Sequence, residues 1–311
     1  MKSIFTTFPI VVALDRAAGK FIADLVREEA RCEQPLPLTW NAKNQMQNDL
    51  LAPDLWVPTV AAFDKLTADE LASVASWNAD VINEFLRREK FEIQLQPWPP
   101  DRKTFGIAGK IKLRGHWTQQ GDKGYTVASR KKAFRLDRGL RFFDYGVRGE
   151  TGVAIPTREG DWVHIVRAPS ALSHFDLIRY AMQTTKNAKP STRYKGVILP
   201  QWSFQEKVDV SGLIGLNTID AADNHWKLVQ ALMEGKSAFG LDGMSFKAAF
   251  AAAVLRESMM IGKEPRPGDL VVDYPLVMSI WRTNVQLPLG AVMIEPDDFS
   301  DVDITIEDKE R

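Results

Sequence analysis

Residues 105–117 read FGIAGKIKLRGHW. Phe105, Ile107, Ile111, Leu113 and Trp117 fall on one face of an extended chain, with Gly109 and Gly115 between them. Lys110, Lys112, Arg114 and His116 fall on the other. Such length and strict alternation predict a strand in the interior of a sheet. Two later stretches follow in a fixed order. Residues 199–216 read LPQWSFQEKVDVSGLIGL, and residues 273–296 read DYPLVMSIWRTNVQLPLGAVMIEP. The last predicts a buried strand, a turn at Thr283-Asn284 and a second apolar strand.

The chain around these strands has the composition of a folded protein. Its 311 residues are 45% apolar and 26% charged, enough for one large core or two modest ones. Forty Lys and Arg balance forty Asp and Glu, so global charge points to neither nucleic acid nor an acidic membrane as partner. The nine Trp fall mainly in expected strands or at element ends, where core packing accounts for them. Cys32 is the only cysteine, so no intramolecular disulfide can form and the core alone must hold the fold. The apolar run 8–14 is short, contains Pro9 and meets Asp15-Arg16. A secretory signal would end in small residues, and no segment approaches the length of a membrane span. With no Asn-x-Ser/Thr acceptor in the chain, a cytoplasmic location is expected.

Local patterns mark out the elements. Residues 17–31 predict an amphipathic helix with Phe21, Ile22, Leu25 and Val26 on one side. Pro35, Pro37, Pro53 and Pro58 then punctuate a loop-like stretch. Thr67 and Glu70 form a capping-box pattern, with Leu66 and Leu71 as a staple. Together they predict a helix running on through Leu71, Val74, Val81, Ile82 and Phe85. Residues 125–166 suggest short strands and turns, and 170–186 a helix. The stretch 197–208 is extended, with Pro200 favouring an edge or bulge. A helix is expected over 220–235, stopped by Gly235. Residues 246–255 are Ala-rich, which by propensity alone favours helix. The acidic end, 295–311, is expected to fray. Helices early and strands late indicate an α+β chain without a domain boundary.

No catalytic constellation stands out. His164 and His174 are ten apart, which is no metal-ligand spacing. His116 lies on the charged face of a strand, and Cys32 has no nameable base partner. Gly146, Gly149 and Gly152 are spaced for turns rather than for a phosphate loop. No cofactor is implied. The marked basic segment holds Arg130, Lys131, Lys132, Arg135, Arg138 and Arg141, interleaved with Phe134, Phe142 and Phe143. It is either a polyanion or nucleic-acid surface or the solvated side of a two-faced hairpin, and the hairpin is the simpler account.

The order of these segments resembles the serpin superfamily over about residues 74–296. Residues 77–86 (WNADVINEFL) are similar to the family's helix ending in an Ile-Asn-aromatic signature. Thr104 and FGIAGKIKLRGHW are similar to its central strand ending Phe-Lys-Gly-x-Trp. Gly115 and Trp117 match, while Leu113 and Arg114 replace Phe and Lys. DWVHIVRAP at 161–169, Leu199-Pro200 with Phe204, Tyr274-Pro275 and the closing 290–296 fall in the family's order. In this register Phe246-Lys247-Ala248 resembles the strand before the family's reactive loop, which implies a strand over 246–255 in spite of the Ala-rich composition. The resemblance implies an α+β, serpin-like single domain over 1–296. It would have a large central sheet, a second strand-rich, barrel-like region and a reduced, divergent N-terminal helical part over 1–73. An acidic tail would follow at 297–311.

The departures shape the functional expectation. The family's Phe-Ser-Pro motif is missing from 1–73. The family's sheet-opening Asn and its partner His, near the conserved Trp, fall at Gly109 and Phe250, with Trp117 as the Trp. Inhibitory members insert a cleaved loop into the central sheet, using a Gly-Thr-Glu hinge followed by small residues. That hinge falls on Ser258–Ile261 here and does not match; a different register would place it at Ala248–Ala253. The exposed loop 258–270 carries Lys263, Glu264, Pro265 and Arg266. Fully extended it reaches about 43 Å at ~3.3 Å per residue. Pro265 and Pro267 would each remove a ladder hydrogen bond if it inserted. The resemblance therefore implies a non-inhibitory, non-enzymatic protein that binds a protein partner through its surface or this loop. The alternative is a protease inhibitor offering Lys263 or Arg266 to a trypsin-like enzyme. An unrelated enzyme is a third class, without a nameable nucleophile, metal set or cofactor loop.

Overall fold

The alternating stretch forms the strand Gly106–His116. It pairs on one edge with Gly243–Phe250 and on the other with Leu71–Ser76, so it is interior. The computed structural model describes residues 2–30, 37–98, 104–126, 130–146, 150–169, 171–186, 188–222, 224–250 and 269–306. The central sheet has five strands, in the order Trp202–Val208, Met233–Phe239, Gly243–Phe250, Gly106–His116, Leu71–Ser76. A seven-stranded sheet runs Ser3–Phe5, Gly290–Ile294, Leu276–Arg282, Asp161–Arg167, Glu150–Pro156, Arg141–Tyr145, Lys189–Ser191. A third has four strands, Asp269–Val271, Gly196–Pro200, Lys132–Leu136 and Asp122–Tyr125. These sheets do not close into a barrel. One apolar cluster joins the central and seven-stranded sheets, with Ile111, Leu113 and Phe246 from the first and Ile280 and Val292 from the second.

The least legible part of the sequence is among the most buried. Ser3–Phe5 is an edge strand on Gly290–Ile294. Helix Phe8–Val12 continues through π-helical Ala13–Ala18 into Gly19–Ala30. The apolar run 8–14 is the first stretch of that helix and is almost wholly buried. It crosses the inner face of the central sheet at Gly109, where an added Cβ would overlap the Pro9 carbonyl oxygen. Glycine is required there by close approach of two backbones. Helices Gln45–Leu51 and Pro53–Ala62 fill the stretch expected to be loop.

Two local signals are overridden. The capping-box hydrogen bonds form, Thr67 N–H to Glu70 and Glu70 N–H to the Thr67 hydroxyl. Yet the chain leaves them as the strand Leu71–Ser76, and the helix is confined to Ala79–Arg88. Edge pairing with Gly106–His116 outweighs a signal that organises only one turn. The helix expected over 220–235 is replaced by the hairpin Asn217–Ile219 and His225–Lys227 and by the start of Met233–Phe239. Asp220 accepts from Ala222 N–H, Asn224 N–H and Trp226 Nε1, and side-chain bonding of this kind competes with helix. Gly235 lies mid-strand, where a Cβ would press on Ile4.

The acidic end is packed as far as Ile306, with Phe299, Ile304 and Ile306 buried. Asp301 pairs with Lys131, and Asp303 with Lys123 and Lys132. The remainder, 307–311, lies outside the described residues.

Gly109→Ala should lower unfolding stability by about 3 kcal/mol, the upper end for overpacking, because the obstacle is backbone. Gly19→Ala, in helix with open space around it, should leave stability unchanged or raise it by up to ~1 kcal/mol. Urea unfolding of the two variants checks the contrast.

Candidate functional site

The strand Gly243–Phe250 is the first candidate. It follows Met233–Phe239 through a tight turn and lies between that strand and Gly106–His116, antiparallel to both. Its two neighbours therefore run parallel to each other. Met244, Phe246, Ala248 and Phe250 point into the core and are at most 3% exposed. The Phe246 ring lies where a side chain on Gly290 would have to go. Phe250 stands opposite Gly109 across the ladder, so these two positions are neighbours. Trp117 caps the other end of the sheet. Its Nε1 donates to the Gly240 carbonyl at 2.8 Å, and its ring packs on Phe134 and Phe239. The expected strand at 246–255 is thus a strand as far as Phe250, starting three residues earlier. Lys263, Glu264, Pro265 and Arg266 lie outside the described residues.

The basic segment does not form a hairpin. Lys132–Leu136 and Arg141–Tyr145 belong to different sheets, because the first pairs with Gly196–Pro200 and the second with Glu150–Pro156. Lys131 and Lys132 meet Asp301 and Asp303. Arg135 makes a two-pronged contact with Asp269 and a further one with Asp137. Arg130 and Arg138 are exposed. Arg141 turns elsewhere, its guanidinium 4.2 Å above the Trp162 ring.

Arg141 is part of a cleft of about 730 Å³ that sequence reasoning did not find. Its floor is the outer face of the seven-stranded sheet, where Trp162 and Trp281 stand directly opposite each other. His164 lies between the rings of Phe143 and Trp281, at 5.4 and 5.8 Å. Burial lowers its pKa to about 4, so it is neutral near pH 7. Lys189, Ser191, Tyr194 and Arg282 are also among the lining residues. Arg282 is held from behind by Asp161 and Glu70, each in a two-pronged contact. Burial would raise the Glu70 pKa, but hydrogen bonds from Arg282 and Thr67 outweigh it and hold the carboxyl below its ordinary value. These residues come from segments more than a hundred positions apart. The one local hint was aromatic and basic residues alternating near 141.

Among the described residues no group of three His, Cys, Asp or Glu could hold a metal ion, and no helix is long and apolar enough to cross a membrane.

No family model and no curated protein sequence matches the chain. Solved structures do. The crystal structure of a thermophilic serpin, tengpin, in the latent state aligns at 10% identity and TM-score 0.53, covering 95% of this chain and 92% of that one. A loop C-sheet serpin polymer aligns at 10% identity and TM-score 0.50, covering 94% and 89%. The chain has the serpin fold. The likeness spans nearly the whole length rather than 74–296 alone, which corrects the expectation of a reduced N-terminal part. The described residues of 1–73 supply a strand and several helices to that fold.

The lowered pKa of His164 gives a pH test. The unfolded chain takes up its proton near 6.5 and the folded one only near 4. Stability should therefore fall as pH drops below 6.5 and level off below about 4. In His164→Phe this part of the decline should vanish, as melting temperatures between pH 7 and pH 4 would show.

Proposed function

We propose that this serpin-fold protein is a binding protein that does not inhibit proteases by loop insertion. The observation that supports this most is the burial of Met244, Phe246 and Phe250 in the strand Gly243–Phe250. An inhibitor must keep its insertable segment out of the sheet until cleavage. Here that would move one Met and two Phe from core to solvent, at roughly 1.5–3 kcal/mol each. The sum is comparable with the net stability of a typical domain. Phe246 is also fitted against the backbone of Gly290, so the seven-stranded sheet is shaped around it. We read the strand as a permanent member of the sheet.

Binding is then assigned to the concave surface. A cleft of this volume, floored by two Trp and edged by Arg141 and Lys189, has the size and mixed apolar and cationic lining of a small-molecule site. A further surface for a protein partner is assigned to the expected loop at 258–270, although Asp269 and Leu270 belong instead to the strand Asp269–Val271, paired with Gly196–Pro200.

A second reading rests on the direction of the same strand. A segment running antiparallel between two mutually parallel strands is also what an inserted loop would give, in the register with small residues at Ala248–Ala253. In that case Lys263 or Arg266 would face a trypsin-like protease before insertion.

Incubation with trypsin followed by a denaturing gel separates the two. No band at the summed mass is expected, and cutting between 258 and 270 should leave the melting temperature unchanged or slightly lower. A summed-mass band that depends on Lys263 or Arg266, or a rise of tens of degrees on cutting, would establish the inhibitor reading instead.

A further inference from the structure

The outer face of the seven-stranded sheet is covered unevenly. Helix His174–Lys186 packs against Ser3–Phe5, Gly290–Ile294 and Leu276–Arg282. It reaches as far as His164, whose Nδ1 lies 3.4 Å from the Thr185 hydroxyl. The cleft lies beyond that point, over Asp161–Arg167 and Arg141–Tyr145. The strand between these two, Glu150–Pro156, places Gly152 opposite Phe143, and Ala154 between Arg141 and His164. Small residues on the middle strand and large ones on its neighbours make a trough, with the Phe143 ring leaning over Gly152. Trp162, His164 and Trp281 form its aromatic side.

Charge is placed unevenly as well. Asp137 is the one carboxylate lining the cleft among the described residues, and a hydrogen bond from Arg135 holds it below its ordinary pKa. Arg282 is neutralised by Asp161 and Glu70. Arg141, Lys189 and Lys195 are the other cations of the lining. Among the described residues none of these three is ion-paired with a carboxylate. They also sit along one rim. Phe142 pairs with Ser191, so one step further the ladder brings Arg141 level with Thr192, midway between Lys189 and Lys195.

On the reading of this cleft as a small-molecule site, we propose that it takes a nucleoside monophosphate, with the base on the aromatic side of the trough and the phosphate toward Arg141, Lys189 and Lys195. Stacking on aromatic side chains suits any base, because every base has a π-face. The planar guanidinium of Arg141 can hold two phosphate oxygens at once, and each lysine adds a point charge. A phosphate carries about two negative charges near pH 7 and three strong acceptor oxygens. It can therefore answer all three cations, where a single carboxylate would leave part of the rim unmatched.

The test is calorimetric titration at pH 7 with adenosine monophosphate, adenosine and inorganic phosphate. The monophosphate should bind at least tenfold more tightly than either fragment. Arg141→Gln should weaken monophosphate binding roughly tenfold or more, for one lost charge-assisted contact, and leave adenosine binding unchanged. Trp281→Leu should weaken both. Arg130→Gln, in the basic segment away from the cleft, should weaken neither. Should Trp281→Leu fail to fold, Arg141→Gln and Lys189→Gln, both at exposed positions, carry the test. An Arg141 variant that binds the monophosphate like wild type would overturn the proposal, as would a single-stranded oligonucleotide that binds more tightly than the monophosphate. Anilinonaphthalene sulfonate, a fluorescent aromatic probe, is titrated in parallel. If the probe binds in a Trp281-dependent way while the monophosphate binds no better than adenosine, the cleft is a small-molecule site and the nucleotide class is wrong. If neither the probe nor the three ligands bind, the small-molecule reading falls as well.

Discussion

The Phe246 ring packed against the backbone of Gly290 is the contact on which much of this structure depends. It joins the middle strand of the central sheet to the seven-stranded sheet, and it tolerates no side chain at 290. With Phe246 seated, Met244, Ala248 and Phe250 follow into the core by simple alternation. The central sheet is then complete, with every interior strand paired on both edges. Releasing that strand would bring two aromatic rings and a thioether into water. The same strand places Lys247 on the opposite face, between Lys112 and Lys236. Burial inside and charge crowding outside are therefore consequences of one register.

Electrostatics organises the periphery rather than the core. Arg282 ties the seven-stranded sheet to the turn before Leu71–Ser76 through Asp161 and Glu70. The Asp161 carboxylate is almost fully buried, so its partner is needed to avoid an unpaired interior charge. The acidic residues near the end of the chain settle on Lys123, Lys131 and Lys132. A basic segment and an acidic one, 170 residues apart in the pair Lys131–Asp301, neutralise each other once folded. The zero net charge of the chain is thus partly realised as specific contacts.

Several elements were legible without coordinates. Residues 105–117 announced an interior strand because a sheet face imposes period two over its whole length. The turn at Thr283-Asn284 was legible too, since Asn284 adopts a left-handed conformation with φ of 66° that asparagine tolerates better than most residues. The signals that misled were local ones. The Thr67–Glu70 box satisfies its own hydrogen bonds whether a helix or a strand follows. The stretch at 220–235, stopped by Gly235, expresses propensities of a few tenths of a kcal/mol to about 1 kcal/mol per residue, which sheet pairing exceeds.

By itself the sequence determined the α+β class, the interior strand, the order of segments that resembles serpins and the absence of a disulfide. Each follows from residue type and spacing along the chain. Only the tertiary structure decided that Gly109 faces Pro9, that Trp162 and Trp281 floor a cleft with Arg141, and that three lysines stand abreast. Those relations depend on which strands become neighbours and in which register, and a shift of one residue would reverse every face. Long-range pairing is chosen by the burial of the whole core, a quantity that no local window of the chain contains.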